Sequence, residues 1–167
     1  MQMEIKHLHQ RLGVTVVYVT HDQGEALSMS DRVAVFNKGR VEQVDSPRRL
    51  YERPRTVFVA GFVGTANVLQ GEAARRLAAS ERPVSIRPEH IRFGAATAGQ
   101  IGVAGQLIDV QFHGPTSRFE VQSEGVLLTV SLSNEHGETG ARPRPGEAVR
   151  IAWPRDAMVV LDPAEPS

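Results

Sequence analysis

The sequence predicts an α/β segment over residues 1–63, followed by a small all-β barrel or sandwich over residues 64–167. Two observations predict this organisation. Residues 14–19 are without exception β-branched or aromatic, as in a strand that is buried on both faces of a parallel sheet. From Val84 onward, short alternating stretches are separated by turns that contain glycine and proline, which is typical of a small barrel or sandwich.

The composition excludes several classes of protein. The 167 residues include 19 Lys plus Arg and 19 Asp plus Glu, so no charge bias favours nucleic acid or anionic lipid. The sequence has no cysteine, which excludes disulfides and thiolate metal sites. No apolar run approaches the roughly 20 residues needed to span a bilayer, so we expect any role at a membrane to depend on a partner.

The first segment opens with apolar residues at helical spacing over residues 1–12, which predict a helix that Gly13 ends. The strand at residues 14–19 follows. Asp22 and Glu25 have the spacing of a capping box, so a second helix is predicted to start there. His21 therefore lies where the carboxyl end of a strand turns into a helix, and open α/β sheets bind ligands at that edge.

A hairpin and two short helices are predicted for the rest of this segment. Residues 32–36 and 40–44 are the two strands, and Asn37-Lys38-Gly39 is the turn between them. Ser46-Pro47 supplies an N-cap and a proline at the first helical position of the next helix. Residues 56–62 are predicted to form one more short helix.

The second segment is predicted to be mostly strand. Residues 72–80 are either one helical turn or a polar loop, and Arg87-Pro88-Glu89 is a sharp corner between two short strands. Ile108, Val110 and Phe112 are expected to share one face of a strand, with the residues between them on the other face. The remaining strands are predicted around residues 119–121, 126–132, 149–153 and 158–161, with a loop at 137–146.

Two stretches closely resemble the histidine-switch region of ATP-binding-cassette (ABC) import ATPases. They are Val19-Thr-His-Asp-Gln-Gly-Glu-Ala-Leu27 and Ser30-Asp-Arg-Val-Ala-Val-Phe-Asn-Lys-Gly-Arg-Val-Glu-Gln43. The resemblance implies that residues 1–63 are the C-terminal remnant of an ABC nucleotide-binding domain.

Two later stretches resemble the transport-associated OB-like (TOBE) domain that follows the ATPase domain in many ABC importers. They are Val84-Ser-Ile-Arg-Pro-Glu-His-Ile91 and Pro145-Gly-Glu-Ala-Val-Arg-Ile-Ala-Trp153. The resemblance implies that residues 64–167 are this all-β, OB-like small barrel. In the family, the barrel enlarges the dimer contact and in some members binds a regulatory solute or protein.

By the resemblance, His21 is the candidate catalytic residue. The matching histidine of the family reaches the γ-phosphate of ATP and helps to hold the attacking water and the transition-state charge. Without the motif, His21 would be an ordinary polar residue at a strand-to-helix turn. Thr20, Asp22 and Glu25 are in register with the motif and favour the functional interpretation.

Hydrolysis in this family also needs a phosphate-binding loop, G-x-x-x-x-G-K-[ST], an L-S-G-G-Q signature and a catalytic glutamate. This sequence contains none of these motifs. We therefore expect the C-terminal part of a longer transport ATPase, which does not hydrolyse ATP by itself. ATP and Mg belong to the complete subunit, and no bound cofactor or metal is expected on this fragment.

The missing portion also bears on folding, because it would supply the neighbours of the strand at residues 14–19. Without them the strand would expose unpaired apolar edges. We expect the first 60 or so residues to be poorly ordered, dimerised or exchanged between chains, and the barrel to be well folded.

The resemblance also implies partners and a location. The partners are a second copy of the ATPase subunit and membrane permease subunits, with the solute-binding protein of the system acting indirectly. The location is cytoplasmic, peripheral to the inner face of the cell membrane. Residues 62–69 and the Trp153 region look most like polyamine- or iron-type importers, although sugar, sulfate and phosphonate relatives share much of this pattern.

Two alternatives belong to other functional classes. The barrel could be a free-standing OB-like protein that binds a small oxyanion or solute. A nucleic-acid binder would need a basic groove and interleaved aromatic residues. With no net charge and only 5% aromatic residues, no nucleic-acid partner is expected.

Other polar residues have ordinary structural interpretations. Three histidines in turns or at strand ends lack metal-ligand spacing and are interpreted as surface residues: His90, His113 and His136. Arg87 and Glu89 are either a ligand contact or a pair that stabilises the corner. A basic cluster is interpreted as a solvated helix face or a contact with another subunit: Arg48, Arg49, Arg53 and Arg55.

Overall fold

A computed structural model describes residues 11–134 and 142–163 of the chain. The chain divides into two compact units, residues 1–64 and 65–167, and each unit has its own apolar core. Most of the helix predicted over residues 1–12 lies outside the described residues, as do the first residues of the loop predicted at 137–146. No helix in the described parts of the chain is long and apolar enough to cross a membrane.

The first unit contains three helices and one hairpin within its described residues. The elements are α1 (Gln23–Met29), β1 (Val33–Asn37), β2 (Arg40–Asp45), α2 (Pro47–Glu52) and α3 (Val57–Phe62). β1 and β2 pair in antiparallel register. All five elements were predicted from the sequence, with bounds that differ by one or two residues.

Local signals account for the turn and the caps of this unit. Lys38 and Gly39 connect the two strands with φ of 46° and 77°, the left-handed backbone that a two-residue hairpin turn requires. Ser46 caps α2 by accepting from the Arg49 N–H at 3.4 Å, and Thr56 caps α3 by accepting from the Val59 N–H at 3.2 Å.

The prediction of a strand at residues 14–19 is wrong. These residues have no regular secondary structure, and Val17 and Val19 are 86% and 90% exposed. A central strand needs neighbours on both edges, and the described strands of this unit, β1 and β2, pair only with each other. The apolar sequence therefore stays extended and exposed. The elements from α1 to α3, by contrast, close around a small core of Val35, Leu50, Val59 and Val63. Poor ordering, dimerisation or exchange of the first segment stays a prediction.

The second unit begins with a short strand, a helix and a sharp corner. The elements are β3 (Asn67–Leu69), α4 (Glu72–Ala78), β4 (Val84–Ile86), a 3₁₀ turn (Pro88–His90) and β5 (Arg92–Phe93). Of the two alternatives for residues 72–80, the helix is correct.

Four longer elements and a short closing strand complete the second unit. They are β6 (Gln100–His113), β7 (Thr116–Ser123), β8 (Val126–Ser133), β9 (Ala148–Pro154) and β10 (Val159–Val160), with a 3₁₀ turn (Arg155–Ala157) before β10. The four longer strands and β5 form a five-stranded sheet of order β5-β9-β6-β7-β8. β10 belongs to a three-stranded sheet of order β10-β4-β3 in the same unit.

A β-bulge in β6 changes which of its side chains share a face, so the prediction for this strand was wrong in part. The register with β7 shifts between Leu107 and Asp109, so that Ile108 is an extra residue in β6. Leu107 is consequently buried, whereas Ile108 is 48% exposed. The side chain of Phe112 lies on the same face of β6 as that of Val110, but it is 76% exposed. Simple alternation through residues 107–112 was therefore wrong.

Large apolar side chains from both sheets form the core of the second unit. Trp153 and Phe119 are fully buried, and the rings of Phe93 and Phe119 meet edge to face with centroids 5.1 Å apart. The predicted fold class is confirmed: a short α/β unit precedes a mostly β, OB-like unit. The two sheets do not share a hydrogen-bonded strand pair, so the barrel is not closed.

Candidate functional site

The candidate site is the turn that leads into α1. Asp22 is the N-cap of this helix, and its Oδ1 accepts from the Glu25 N–H at 2.9 Å. The helix start predicted from the spacing of these two residues is confirmed. Leu27 of α1 packs against the core of the first unit, which fixes the helix in place.

Hydrogen bonds also fix the chain on the other side of His21. Thr20 Oγ1 donates to Glu25 Oε2 at 2.9 Å and accepts from the Asp22 N–H at 3.0 Å. Thr20, Asp22 and Glu25 thus form a closed circuit of hydrogen bonds around the turn. We call this set the Glu25 circuit.

Tyr18 extends the Glu25 circuit toward the exposed segment. Its hydroxyl donates to Glu25 Oε2 at 3.0 Å. This hydrogen bond, together with the negative charge of the carboxylate, raises the pKa of the Tyr18 phenol above its ordinary value of 10.0.

A second contact ties the start of α1 to the end of the first unit. Gln23 Oε1 accepts from the Gly64 N–H at 3.0 Å. Gly64 has a φ of 77°, in the left-handed region that favours glycine. The residue two positions after His21 is therefore anchored by the backbone 41 residues further along the chain.

His21 itself is exposed at the surface. Among residues 11–134 and 142–163, no group hydrogen bonds to its imidazole. An imidazole can donate from one or both ring nitrogens, so a fixed and unengaged histidine can bind an oxyanion brought to it. The imidazole of His21 is thus accessible to a ligand.

The sequence analysis missed the part played by Tyr18. In an extended chain, residues two apart point to the same side, so Tyr18 and Thr20 can both face Glu25. That spacing was present in the sequence, but residues 14–19 were assigned to a central strand, and this assignment hid the contact.

The other histidines are not brought to the turn. His90 lies in a 3₁₀ turn and His113 at the end of β6, and both are exposed. His136 lies outside the described residues. In the part of the chain that the structure describes, no three His, Asp or Glu side chains are grouped so that they could hold a metal ion.

Arg87, singled out from the sequence at the corner, is 6% exposed and donates to the Thr65 carbonyl at 3.0 Å. The stabilising pair of Arg87 with Glu89 stays a prediction.

The predicted basic cluster lies only partly on a helix. Arg48 pairs with Glu52 at 2.7 Å, and Arg49 lies 3.6 Å from Asp45. These two arginines are exposed on α2, as expected for a solvated helix face. Arg53 and Arg55 are also exposed, but they lie after the last residue of α2.

The second unit has a shallow cavity of about 230 Å³ between α4 and the β7–β8 turn. Its cation, Arg76, is paired with Glu124 at 2.6 Å. Because this charge is already compensated, the cavity offers little attraction to an oxyanion. The structure therefore gives no specific support to a free-standing oxyanion-binding protein.

Comparison with protein families and known proteins identifies the chain's relatives. Residues 84–161 match the TOBE domain. An ABC transporter ATP-binding protein of Escherichia coli (strain K12), YdcT, is 54% identical over 163 residues, which are 96% of this chain and 48% of that protein. The spermidine/putrescine import ATP-binding protein PotA of Acidothermus cellulolyticus is 38% identical, over 92% of this chain and 46% of that protein.

Among solved structures, the cytoplasmic molybdate-binding protein ModG gives a TM-score of 0.40 at 15% identity, covering 55% of this chain and 71% of that one. A likeness this distant carries no functional meaning. The chain spans about half the length of the curated relatives it matches. The recognition made from the sequence is confirmed: the chain fits the C-terminal, TOBE-containing part of an ABC transporter ATP-binding protein.

Proposed function

We propose that this chain is the C-terminal part of the ATP-binding subunit of an ABC importer, and that His21 is the residue through which it acts on ATP. The observation that carries the proposal is the exposed, unengaged imidazole on a turn whose backbone is fixed on both sides. Such a residue is ordered before its ligand arrives, which lowers the entropic cost of placing it.

In the complete subunit, His21 donates a hydrogen bond to the γ-phosphate and helps to place the attacking water. Phosphoryl transfer depends mainly on placement and charge stabilisation, so a donor aimed at the developing charge favours the transition state. When bound, Mg-ATP supplies the phosphoryl group that is transferred. His21 presents an exposed imidazole as a possible donor to phosphate.

The imported solute is proposed to be a polyamine. Several relatives are spermidine/putrescine import ATP-binding proteins, at 34–38% identity over nearly the whole chain. Iron, sugars, sulfate and phosphonates are the other solute classes that the sequence pattern left open.

The proposed partners are a second copy of the subunit and the membrane permease subunits, with a solute-binding protein acting indirectly. The OB-like unit enlarges the contact between the two copies or regulates it. The protein then works in the cytoplasm, against the inner face of the membrane.

Uptake by cells that carry the complete transporter tests the proposal. We expect radiolabelled putrescine to accumulate with the wild-type subunit and not with His21→Ala. His113→Ala, a matched change of another exposed histidine, should leave uptake intact. Equal uptake with wild type and His21→Ala would contradict the role of His21, and competition by a sugar or an iron chelate instead of spermidine would contradict the polyamine assignment.

A further inference from the structure

We infer that Glu25 is a positioning residue for His21, because its carboxylate and its backbone N–H together fix the turn that carries the imidazole. The inference rests on the proposed action of His21 on ATP. It adds a residue that does not touch ATP and that acts only by setting the geometry of the turn.

The two neighbours of His21 are both bonded to Glu25. Thr20 precedes His21 and Asp22 follows it: Thr20 Oγ1 donates to the Glu25 carboxylate at 2.9 Å, and Asp22 Oδ1 accepts from the Glu25 N–H at 2.9 Å. The Asp22 N–H also donates to Thr20 Oγ1 at 3.0 Å, across His21. The backbone that carries the imidazole is thereby held from both ends.

The residue types suit this function. A carboxylate can accept several hydrogen bonds, and in this structure one oxygen of Glu25 accepts from both Tyr18 and Thr20. A glutamine at this position would keep one oxygen acceptor but lose the charge that strengthens both hydrogen bonds. A valine in place of Thr20 would keep the shape and lose both of its hydrogen bonds in the circuit.

The turn also stands outside the apolar core. His21, Asp22 and Tyr18 are exposed, and α1 has no fully buried residue. Packing alone therefore does not determine the path of residues 20–22. Hydrogen bonds within the circuit are the interactions that can hold it, so their loss should disturb catalysis more than folding.

Steady-state hydrolysis by the complete ATP-binding subunit tests the inference. We expect Glu25→Gln and Thr20→Val each to lower kcat by about tenfold or more, with the KM for ATP little changed, since a misplaced catalytic group slows the chemical step. Thr20→Ser keeps the hydroxyl and should keep most of kcat. Glu81→Gln, a change of an exposed glutamate in the second unit, should leave kcat unchanged.

The two substitutions should also be coupled. If both act through one circuit, the Thr20→Val and Glu25→Gln double variant should be little slower than the slower single variant. Thr20→Ser against Thr20→Val shows whether the hydroxyl is the group that matters. A lower kcat in Thr20→Val with an unfolding free energy and a KM for ATP near those of the wild type separates positioning from a loss of folded protein, even if Glu25→Gln folds poorly.

The outcomes separate this inference from the proposed function. If His21→Ala hydrolyses ATP at the wild-type rate, the proposed function fails, and the inference fails with it. If His21→Ala is inactive while Glu25→Gln and Thr20→Val keep the wild-type kcat, only the inference is overturned. A rise in KM with an unchanged kcat would likewise overturn it.

Discussion

At the scale of single residues, His21 differs from its neighbours in its hydrogen bonding. Thr20, Asp22 and Glu25 are engaged with one another, whereas the imidazole between them has no partner among the described residues. The exposed position also agrees with a ligand held by other parts of the subunit.

The titration of Tyr18 tests the Glu25 circuit directly. The hydrogen bond to Glu25 raises the pKa of the Tyr18 phenol above 10.0. Glu25→Gln should therefore lower that pKa toward its ordinary value, measured by the tyrosinate absorbance of this chain as the pH rises. Because the pKa in the folded chain is the higher one, the contribution of the contact to stability is present below pH 10.0 and lost as the pH rises through the folded pKa.

A control variant assigns the signal to the correct tyrosine. The chain has two tyrosines, Tyr18 and Tyr51, so Tyr18→Phe should remove the transition that shifts in Glu25→Gln. A Tyr18 transition at the same pH in the wild type and in Glu25→Gln would show that the circuit does not form.

At this scale, one contact around His21 could be predicted from the sequence and another could not. The Asp22 cap was predictable, since it depends on residues three positions apart in one helical turn. The contact between Tyr18 and Glu25 was not, because it depends on residues 14–19 remaining unpaired. The pattern of apolar residues predicts which side chains a strand would bury. It does not show whether neighbouring strands are present to pair with that strand.

At the scale of elements, close packing between strands constrains β6. A Cβ built on Gly105 would lie 2.7 Å from the Gln122 carbonyl oxygen and 2.7 Å from Val121 Cγ1. Gly105→Ala should therefore destabilise the second unit by about 1–3 kcal/mol, the usual cost of overpacking, in chemical denaturation.

A glycine in open surroundings provides the comparison. Gly61 lies in α3, and a Cβ there would meet nothing within 4 Å. Gly61→Ala should leave stability unchanged or raise it by about 0.5–1 kcal/mol, since alanine is the better helix former. If Gly105→Ala proves as harmless as Gly61→Ala, the close approach of β6 and β7 is wrong.

A buried side chain joins the two sheets of the second unit. Asn67 of β3 is 5% exposed; its Nδ2 donates to the Thr129 carbonyl at 2.8 Å, and its Oδ1 accepts from the Thr129 N–H at 2.6 Å. The side-chain amide of Asn67 thus bonds both backbone groups of Thr129 in β8, as a residue of a neighbouring strand would do. Asn67→Ala should cost about 1–3 kcal/mol of unfolding free energy, because two buried backbone groups lose their partner.

An exposed amide is the control for this prediction. Gln111 donates to Asp109 within β6 at 3.0 Å and is exposed to solvent. Gln111→Ala should change the unfolding free energy by no more than about 0.5 kcal/mol. Similar losses from Asn67→Ala and Gln111→Ala would contradict the joining role of Asn67.

Elements with local signals were predictable, and those that depend on tertiary contacts were not. The β1–β2 hairpin and the caps of α2 and α3 follow from Lys38-Gly39, Ser46 and Thr56. The bulge at Ile108 has no comparable signal, since the alternating pattern of apolar residues continues through it. Only the pairing with β7 shows that one residue is extra.

At the scale of the whole molecule, residues 14–19 form a run of exposed apolar side chains in the described part of the chain. Val17 and Val19 are largely exposed, and their backbone has no strand partner among the described residues. We expect this 167-residue chain to self-associate through the segment, as exposed β-rich apolar edges do. Sedimentation should show larger species that the Val17→Asp and Val19→Asp double variant converts to monomer.

The matched control places the same charges on another exposed apolar pair. Ile108 and Leu127 of the second unit are each 48% exposed. Their replacement by Asp should leave the association of residues 14–19 intact. A wild-type chain that sediments as a monomer at all concentrations would contradict the prediction.

At the same scale, the chain fits the C-terminal, TOBE-containing part of an ABC transporter ATP-binding protein. The two relatives described above are about twice as long as this chain. Family membership was predictable from the motif around His21. The solute proposed above was not predictable, because the pattern of residues 62–69 is shared by several classes of importer.

The most direct test of the account is single-turnover hydrolysis of ATP by the complete subunit, which separates ATP binding from the chemical step. We predict that His21→Ala binds ATP as the wild type does and hydrolyses it at least about a hundredfold more slowly, since one placed donor is worth this much in a preorganised site. His113→Ala should hydrolyse ATP at the wild-type rate. Hydrolysis by His21→Ala as fast as that of the wild type would contradict the central claim.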